Sequence, residues 1–332
     1  MRPASSDRQA QALALYVPRW RGVSASTVNL FERCLPIPFH AAEHPDAVSW
    51  ADIDTYAQVI STVPISRLVI SGGDPFMLKL LQRVRAYGRR MDARLLWHSN
   101  FVQTGDAHDF RIMEMWVAAA RNGDISLFGV VKRGFDRFLE AFGIRSAFVQ
   151  NRINADFSKI SHTTNRTRVG MWLSGSSAYR KMPYNTLCAL SQVDGVELVG
   201  AGLDPISLKL IEELRLAHGV VERTPLPAKC LMERMSETAL SLYVTNSECV
   251  PMLPLESISL GVPCLVGPSS HFLADNAELA DIYVVREPGN PRAIAHKVRR
   301  ALDEGERAFP MLRQYMCLWN TFSTMTVEEF LA

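Results

Sequence analysis

The sequence lacks several features that would assign it to a common functional class. Its 36 Lys and Arg residues nearly balance 34 Asp and Glu residues, so the net charge of +2 is not that of a dedicated nucleic-acid-binding protein. No run approaches the roughly 18 consecutive apolar residues that a membrane-spanning helix needs, and the first residues show no basic-then-apolar signal pattern. We therefore expect a cytoplasmic protein with no nucleic-acid partner. Peripheral contact with the inner face of the membrane stays open.

Metal-ligand patterns are also lacking. The spacing of the six cysteines suits neither a CxxC metal site nor a dense disulfide framework, which predicts reduced, mostly buried thiols. Asp106, His108 and Asp109 are close together in the sequence, but no further Cys or His stands at ligand spacing. We therefore predict a loop at these residues, no bound metal and no other cofactor. The cysteines are Cys34, Cys188, Cys230, Cys249, Cys264 and Cys317.

What the sequence does have is a repeated alternation of apolar strand-like runs and helical periods, which is typical of parallel sheets. The first series has predicted strands at 12–17, 67–71 and 94–98 and a helix at 76–90. The second has predicted strands at 169–173, 196–199, 220–223, 239–244, 263–266 and 282–285, and helices at 181–192, 205–218, 253–260 and 292–304.

A polar segment at 151–166 separates the two series and suits a connection between domains. With 332 residues and 48% hydrophobic content, the chain has enough apolar material for two cores. We predict an α/β protein with two Rossmann-like domains, at 1–155 and 166–310, that face each other across a cleft, and a helical tail at 311–332. Ligands of such sheets bind at the carboxyl ends of the strands.

The segment LYVTNSECVPMLPLESISLGVPCLVG carries two carboxylates, Glu248 and Glu256, with seven residues between them. We expect Glu248 in the loop after a strand and Glu256 in the first turns of the next helix, where both face one cleft. Carboxylates accept hydrogen bonds from sugar hydroxyls, and a helix N-terminus offers amide donors to a phosphate. The segment therefore suits both ends of a nucleotide-sugar; a solvated pair at a helix end is the alternative.

These residues resemble the retaining glycosyltransferases of family four, also called glycosyl transferases group 1. In that family, E-x7-E precedes a small-residue helix and a Gly-Val-Pro before a strand, and Glu248, Glu256 and Gly261-Val262-Pro263 match. The resemblance implies the GT-B architecture, with the donor held by the C-terminal domain. It implies that Glu248 lies near the donor sugar, that Glu256 binds the ribose, and that Leu255 belongs to the same donor site.

The start of the second domain, VGMWLSGSSAYRKMPYNTLCAL, is similar to the first strand, loop and basic helix of the family's C-terminal domain. Fixed positive charge stabilises a leaving diphosphate, and Arg180 and Lys181 are the relevant cations. Gly175 and Ser176 are placed to bring backbone amides to a phosphate. The arginine that the family often has directly after this strand is absent, so Arg180 replaces it or the site is altered. A solvated Arg-Lys pair is the alternative.

Two residues of the first domain are candidates by position. Gly22 lies in RWRGVSAS, which we expect to be a loop over 19–26 that approaches a donor phosphate or the acceptor. His98 follows a strand, and family members commonly have a histidine near the sugar in this region. An ordinary β-α turn and a histidine satisfied at a strand end are the alternatives. The cations of the 76–90 helix suit acidic lipid or a charged acceptor, or else a solvated helix face.

The resemblance implies a metal-independent hexosyltransferase of polysaccharide biosynthesis. Such an enzyme moves a sugar from a nucleotide-sugar donor to a glycan or lipid-linked acceptor with retention of configuration. It also implies that the helix at 311–332 crosses back to the first domain. Two alternatives stay open: a sugar-nucleotide epimerase of the same fold, and a non-catalytic nucleotide-sugar-binding or scaffold protein.

Overall fold

The computed structural model describes residues 5–39, 48–88, 90–101, 105, 107–163, 167–173 and 178–332. The chain divides into two compact units. The first consists of Met1–Arg152 together with Asn320–Ala332, and the second is Ile153–Trp319. The first unit is therefore discontinuous in sequence, and the division near residue 152 falls inside the polar segment at 151–166.

The first unit is built on a parallel sheet of six strands among the described residues, in the order β2-β1-β3-β4-β5-β6. The strands are β1 Ala12–Tyr16, β2 Cys34–Pro36, β3 Arg67–Ser71, β4 Asp92–Trp97, β5 Leu127–Val130 and β6 Ser146–Phe148. The helices are α1 Ser5–Ala10, α2 Arg21–Leu30, α3 Trp50–Thr62, α4 Phe76–Ala86, α5 Ala107–Arg121 and α6 Phe135–Ala141. The central strands are almost entirely buried, as expected where helices cover both faces of a parallel sheet.

The second unit has a parallel sheet of five strands among the described residues, in the order β11-β10-β7-β8-β9. The strands are β7 Arg168–Trp172, β8 Glu197–Ala201, β9 His218–Glu222, β10 Leu240–Tyr243 and β11 Cys264–Val266. The helices are α7 Ala178–Lys181, α8 Pro183–Leu190, α9 Pro205–Glu213, α10 Ala228–Ser236, α11 Met252–Ser259 and α12 Ala277–Tyr283, with α13 Pro291–Phe330 belonging to this unit up to Trp319. A short 3-10 turn, Phe157–Lys159, precedes β7.

Each sheet has a point at which the order of its strands reverses. In the first unit β1 has β2 on one side and β3 on the other, and in the second unit β7 has β8 on one side and β10 on the other. The connections from these neighbouring strands leave in opposite directions and open a crevice at their carboxyl ends, which is where open α/β sheets bind ligands. The strand pairs β1/β3 and β7/β10 are therefore the two places in the chain where this topology favours ligand binding.

The end of α13 completes the first unit. Phe330 is fully buried, and its ring lies 6.4 Å from that of Phe31. A Cβ on Gly129, in the middle of β5, would stand 2.6 Å from the Phe330 ring, so the ring needs a glycine there. The Arg94 guanidinium donates to the carbonyl oxygen of Phe330. These contacts bind residues 320–332 to the first sheet.

Several sequence-based boundaries are wrong. The predicted helix at 181–192 is broken at Met182, whose φ of 48° is left-handed, and α8 begins after it with Pro183. Of the strand predicted at 282–285, Ile282 and Tyr283 are the end of α12, and Val284 forms a single bridge with Val266. The helices predicted at 292–304 and 311–332 are one continuous helix, α13, with Pro310 inside it.

Two loop predictions are also wrong. Gly22, expected in a loop at 19–26, lies in the first turn of α2, which begins at Arg21. His108 and Asp109 lie in the first turn of α5 rather than in a loop, and Asp106 lies outside the described residues.

The six cysteines all lie among the described residues and form no disulfide there, but only two, Cys249 and Cys264, are buried. The prediction that most are buried is therefore wrong. In the part of the chain that the structure describes, no helix combines the length and apolarity needed to cross a bilayer.

Candidate functional site

The crevice at β7 and β10 gathers charged side chains from two connections. Lys181 ends α7, which follows β7, and Glu248 lies in the loop between β10 and α11. The two connections are joined by their backbones, since the amide of Asn246 donates a 2.7 Å hydrogen bond to the carbonyl oxygen of Arg180. Cations and a carboxylate thus occur together beyond the carboxyl ends of β7 and β10.

Tyr243, the last residue of β10, contacts both kinds of charge. Its hydroxyl donates a 2.7 Å hydrogen bond to Oε1 of Glu248, and the Nζ of Lys181 lies 5.3 Å from the centre of its ring. Only 7% of Tyr243 is exposed. Burial, followed by the charge of Glu248 and the hydrogen bond to it, raises the pKa of Tyr243 well above its ordinary value, so the hydroxyl stays protonated and continues to donate.

Lys181 is held in place by its surroundings. It is buried although it carries a charge, and a cation over an aromatic face is attracted by the ring quadrupole. The next residue, Met182, has φ 48° and ψ 40°, a left-handed backbone conformation that residues other than glycine rarely adopt. This turn separates α7 from α8. Arg180 is half-buried beside it.

Glu248 is anchored at two ends. Its carboxylate accepts from Tyr243, and its backbone amide donates a 2.8 Å hydrogen bond to Oγ of Ser269, beyond β11. Gly267 permits this packing, because a Cβ there would collide with the carbonyl oxygen of Thr245. The loop is therefore fixed against the ends of both β10 and β11.

Glu256 and Leu255 lie side by side in α11 but differ in setting. Glu256 is 8% exposed, an unusual degree of burial for a carboxylate, whereas Leu255 is completely buried. The next residue, Ser257, donates to Oγ of Ser241 at 2.8 Å, and Ser241 in turn accepts a 3.3 Å hydrogen bond from the indole of Trp172. This buried network fastens α11 to β10 and β7. Because the side chain of Leu255 is completely buried, only its backbone could contact a nucleotide-sugar donor.

The N-terminus of α11 offers fewer amide donors than most helices do. The first turn of an α-helix has backbone N–H groups without intrahelical partners. Here the N-cap is Pro251 and the third helical residue is Pro254, and proline has no N–H. Met252 and Leu253 provide the amides of this turn.

In the first unit, His98 lies at the corresponding end of its sheet. Its Nε2 is 2.9 Å from Oγ of Ser71, which is 2.6 Å from Oγ1 of Thr27 in α2. Loss of hydration in this setting lowers the pKa of His98 to about 3, so the imidazole is neutral at physiological pH. The three side chains link the ends of β3 and β4 to α2.

Gly22 is close to the same end of the sheet. Its neighbour Val23 packs against Gly72, where a Cβ would stand 2.9 Å from the valine side chain, and Gly72 itself has φ +89°. Among the described residues, apart from its chain neighbours and the backbone of its own helix, no atom lies within 4 Å of the point where a Cβ on Gly22 would stand. Internal packing therefore gives no reason for a glycine at this position.

Three basic side chains of α4 contact neighbouring residues of the first unit. Arg83 forms an ion pair with Asp54, Arg85 forms one with Asp124 at 2.5 Å, and the Nζ of Lys79 lies 5.5 Å from the ring centre of Trp50. Trp97 and Trp172, at the ends of β4 and β7, are 2% and 3% exposed and belong to the cores.

Comparison with solved structures decides the fold. Anabaena HepE, solved with UDP and glucose, has 12% sequence identity and a TM-score of 0.68, and the match covers 96% of this chain and 97% of that one. Sucrose-phosphate synthase from Thermosynechococcus elongatus has 10% identity and a TM-score of 0.66, with 96% and 98% covered. A trehalose-6-phosphate synthase has 9% identity and a TM-score of 0.60, with 96% and 97% covered. The chain has the GT-B fold.

Sequence comparison adds no family to this GT-B assignment. No protein-family model matches the chain, and no curated protein matches it. The two parallel sheets account for the likeness to the solved GT-B structures at identities near 10%.

Within the GT-B fold, the predicted residues fall into two groups. Arg180, Lys181 and Glu248 come together at the end of β7 and β10, with Glu256 in the helix that follows. His98 and Gly22 lie in the other unit. Gly175 and Ser176 lie outside the described residues.

Tyr243 is the residue that the sequence analysis missed. A tyrosine at the end of an apolar strand is ordinarily a core residue. A signal was present nevertheless, since the hydroxyl of a buried tyrosine usually has a hydrogen-bond partner and Glu248 follows five residues later. Among the residues that the structure describes, no three His, Cys, Asp or Glu side chains cluster in a way that would hold a metal ion.

Proposed function

We propose that the protein is a glycosyltransferase that moves a hexose-type sugar from a nucleotide-sugar donor to a glycan or lipid-linked acceptor. The observation that carries the proposal is the meeting of Lys181, Arg180 and Glu248 at the β7/β10 crevice. A nucleotide-sugar has an anionic diphosphate beside a hydroxyl-rich sugar, and this arrangement has one group for each. HepE, of the same fold, was solved with UDP and with UDP-glucose.

The cations are assigned to the leaving group. Transfer leaves a nucleoside diphosphate, whose negative charge grows as the bond to the sugar breaks. Lys181 supplies a positive charge that is already desolvated and fixed over Tyr243. Such preorganised charge stabilises the transition state more than the ground state. Arg180, in the adjacent position, adds to it.

The carboxylates are assigned to hydroxyl groups. Glu248, held by Tyr243, accepts hydrogen bonds from the donor sugar, and Glu256 accepts them from the ribose. For His98 we propose a hydrogen bond from the neutral imidazole to the transferred hexose, supported by its depressed pKa.

The stereochemical part of the proposal is retention by same-face attack, with the departing diphosphate assisting removal of the acceptor's proton. The E-x7-E and Gly-Val-Pro pattern of family four supports it. One trehalose-6-phosphate synthase in the comparison was studied for glycosyl transfer with retention. No protein nucleophile and no metal take part in this scheme.

The first test is a panel of UDP-, GDP- and ADP-sugars, followed by thermal shift and by release of nucleoside diphosphate with and without acceptor extract. A ligand at about 100 times its Kd stabilises the folded state by about 2.7 kcal/mol, which a melting curve resolves. We expect one donor to raise the melting temperature, Glu256→Ala to abolish that rise, and acceptor to accelerate release in the presence of EDTA.

The other outcomes separate the alternatives. Donor binding without turnover under any acceptor condition would indicate a non-catalytic binding protein. A changed sugar without acceptor would indicate an epimerase. No response to any nucleotide-sugar would refute the proposal.

The role of Lys181 has its own test. Lys181→Met keeps the length of the side chain and removes the charge, and we expect kcat to fall about 100-fold. Lys209→Met, at an exposed position of α9 in the same unit, is the matched control and should match the wild type. An equal fall in both variants would show that the effect is one of overall charge.

A further inference from the structure

Tyr243, in the β7/β10 crevice, is uncharged, but it contacts both the cation of Lys181 and the carboxylate of Glu248. The hydroxyl of Tyr243 donates to Glu248 at 2.7 Å, and the face of its ring is 5.3 Å from the ammonium of Lys181. The ring itself is fixed, because Tyr243 ends a central strand paired with β7 and β11 and is 7% exposed.

The hydroxyl has a specific effect on Glu248. The carboxylate is half-buried on a loop, and its own rotamers would otherwise allow several orientations. The hydrogen bond from Tyr243 selects one of them, while the bond from the Glu248 amide to Ser269 fixes the backbone. A carboxylate oxygen has more than one acceptor site, so the oriented group still has capacity for a ligand hydroxyl.

The ring has a different effect on Lys181. Attraction between the ammonium and the ring face favours one position of the long side chain, and the left-handed turn at Met182 fixes the backbone beside it. The hydroxyl of Tyr243 thus acts on Glu248, whereas its ring acts on Lys181. Removing the hydroxyl while keeping the ring separates the two effects.

We propose that Tyr243 is a positioning residue that orients Glu248 toward the donor sugar while its ring seats Lys181 at the diphosphate. This inference rests on the proposed function. It predicts that the hydroxyl matters for the sugar part of the donor only, and that the ring matters for the nucleotide diphosphate as well. A purely structural tyrosine would affect both parts equally.

The experiment compares the affinities for UDP and UDP-glucose, or for the corresponding pair if the donor panel identifies another nucleotide-sugar. Tyr243→Phe removes the hydroxyl and keeps the ring. We expect its Kd for UDP to stay within about twofold of wild type, and its kcat/KM for UDP-glucose to fall about tenfold or more, as befits loss of a hydrogen bond to a charged group. Tyr243→Leu removes the ring too and should weaken UDP binding as well.

The chain offers a matched control. The hydroxyl of Tyr283 in the same unit is also buried but has no hydrogen-bond partner among the described residues. Tyr283→Phe therefore removes a buried phenol hydroxyl without breaking a hydrogen bond between described residues, and it should leave both UDP and UDP-glucose binding unchanged.

A double-mutant cycle tests whether Tyr243 acts through Glu248. We expect the double variant Tyr243→Phe, Glu248→Gln to have the same kcat/KM as Glu248→Gln alone, because the hydroxyl has no charged carboxylate left to orient. Glu248→Gln by itself leaves the tyrosine intact. It should reproduce the loss in UDP-glucose turnover without loss of UDP affinity, which guards against a Tyr243 variant that folds poorly.

Three outcomes would overturn the inference. They are unchanged UDP-glucose turnover in Tyr243→Phe, an equal loss of UDP and UDP-glucose affinity in that variant, and additive effects in the cycle. If the wild type binds no nucleotide-sugar at all, the proposed function fails and the inference fails with it. If the wild type binds and Tyr243→Phe matches it, only the inference fails.

Discussion

Gly261 has a left-handed backbone, φ +82°, and the carbonyl oxygen of Ser161 occupies the place where its side chain would be. The carbonyl of Gly261 also accepts a 3.0 Å hydrogen bond from the amide of Thr163. The glycine of the Gly-Val-Pro motif therefore ends α11 and lets the 161–163 segment pack against that end.

We expect Gly261→Ala to lower the free energy of unfolding by about 3 kcal/mol, since a Cβ adds backbone strain and a collision with the Ser161 carbonyl. Urea denaturation measures the loss. Gly195→Ala is the control, because Gly195 has φ +73° but, chain neighbours aside, no described atom within 4 Å of its absent Cβ; it should lose only about 1 kcal/mol. If both variants lose the same free energy of unfolding, the Ser161 carbonyl moves aside at little cost.

Gly22→Ala separates packing from function in the first unit. The position is in the first turn of α2 and has open space around it, so alanine should leave stability unchanged or raise it by about 0.5–1 kcal/mol. We expect turnover to fall nonetheless, as the methyl group would obstruct a substrate that approaches the backbone. Steady-state kinetics measure this, with Gly105→Ala as control. A stable and fully active variant would exclude Gly22 from the site.

His98 should make stability depend on acidity. Its folded-state pKa of about 3 lies below the ordinary 6.5, so the unfolded chain binds the proton first. The contribution is complete above pH 6.5 and is lost as the pH falls toward 3, by about 1.4 kcal/mol per pH unit inside that window.

His98→Gln removes this contribution, so unfolding free energies measured between pH 7 and 4.5 should decline less steeply for the variant than for the wild type. The exposed His218 provides the control, and His218→Gln should follow the wild-type curve. Parallel curves for wild type and His98→Gln would show that His98 is protonated normally in the folded protein.

Thiol reactivity should distinguish the cysteines. Cys230 and Cys317 are exposed, whereas burial raises the pKa of Cys34 to about 11 and raises that of Cys264 as well, which suppresses their reactive thiolates. We expect DTNB at pH 8 to react with Cys230 and Cys317 first and with all six only after denaturation. Cys230→Ser and Cys317→Ser should each remove one fast equivalent. A fast phase that persists in the double variant would contradict the assignment.

The elements that the sequence predicts well are those with strong local signals. The strand at 67–71 was predicted at its observed bounds, because a buried apolar run ends there at two glycines that both have positive φ. The helix predicted at 253–260 lies within one residue of α11.

Where local and tertiary signals conflict, the sequence misleads. The run Ile282–Val285 is rich in strand-forming residues, yet Asn276 caps α12 by accepting from the amide of Leu279 at 3.0 Å, and the helix continues to Tyr283. Pro310 suggests a break, but α13 passes through it. Three-residue edge strands such as β2 and β6 are too short to have a detectable period.

The candidate site also has residues that the sequence indicates and one whose role depends on tertiary contacts. Arg180, Lys181, Glu248 and Glu256 are chemically distinctive, so the sequence alone singles them out as candidates. The role of Tyr243 depends on two contacts from different parts of the chain, one with Glu248 and one with Lys181. The spacing of five residues hints at the contact with Glu248, but no periodicity encodes the contact with Lys181, which only the folded structure shows.

The last turns of α13 bear on how the protein is made. The first sheet holds Phe330 against Phe31 and Gly129, and Arg67 donates to the carbonyl of Ala332 at 3.3 Å. The ribosome synthesises residues 320–332 after the whole second unit. The first unit therefore emerges early but cannot complete its folding until these residues are made. Nascent chains halted before residue 320 should therefore carry a first unit that is cleaved readily by protease, although the sequence of all its strands has already been translated.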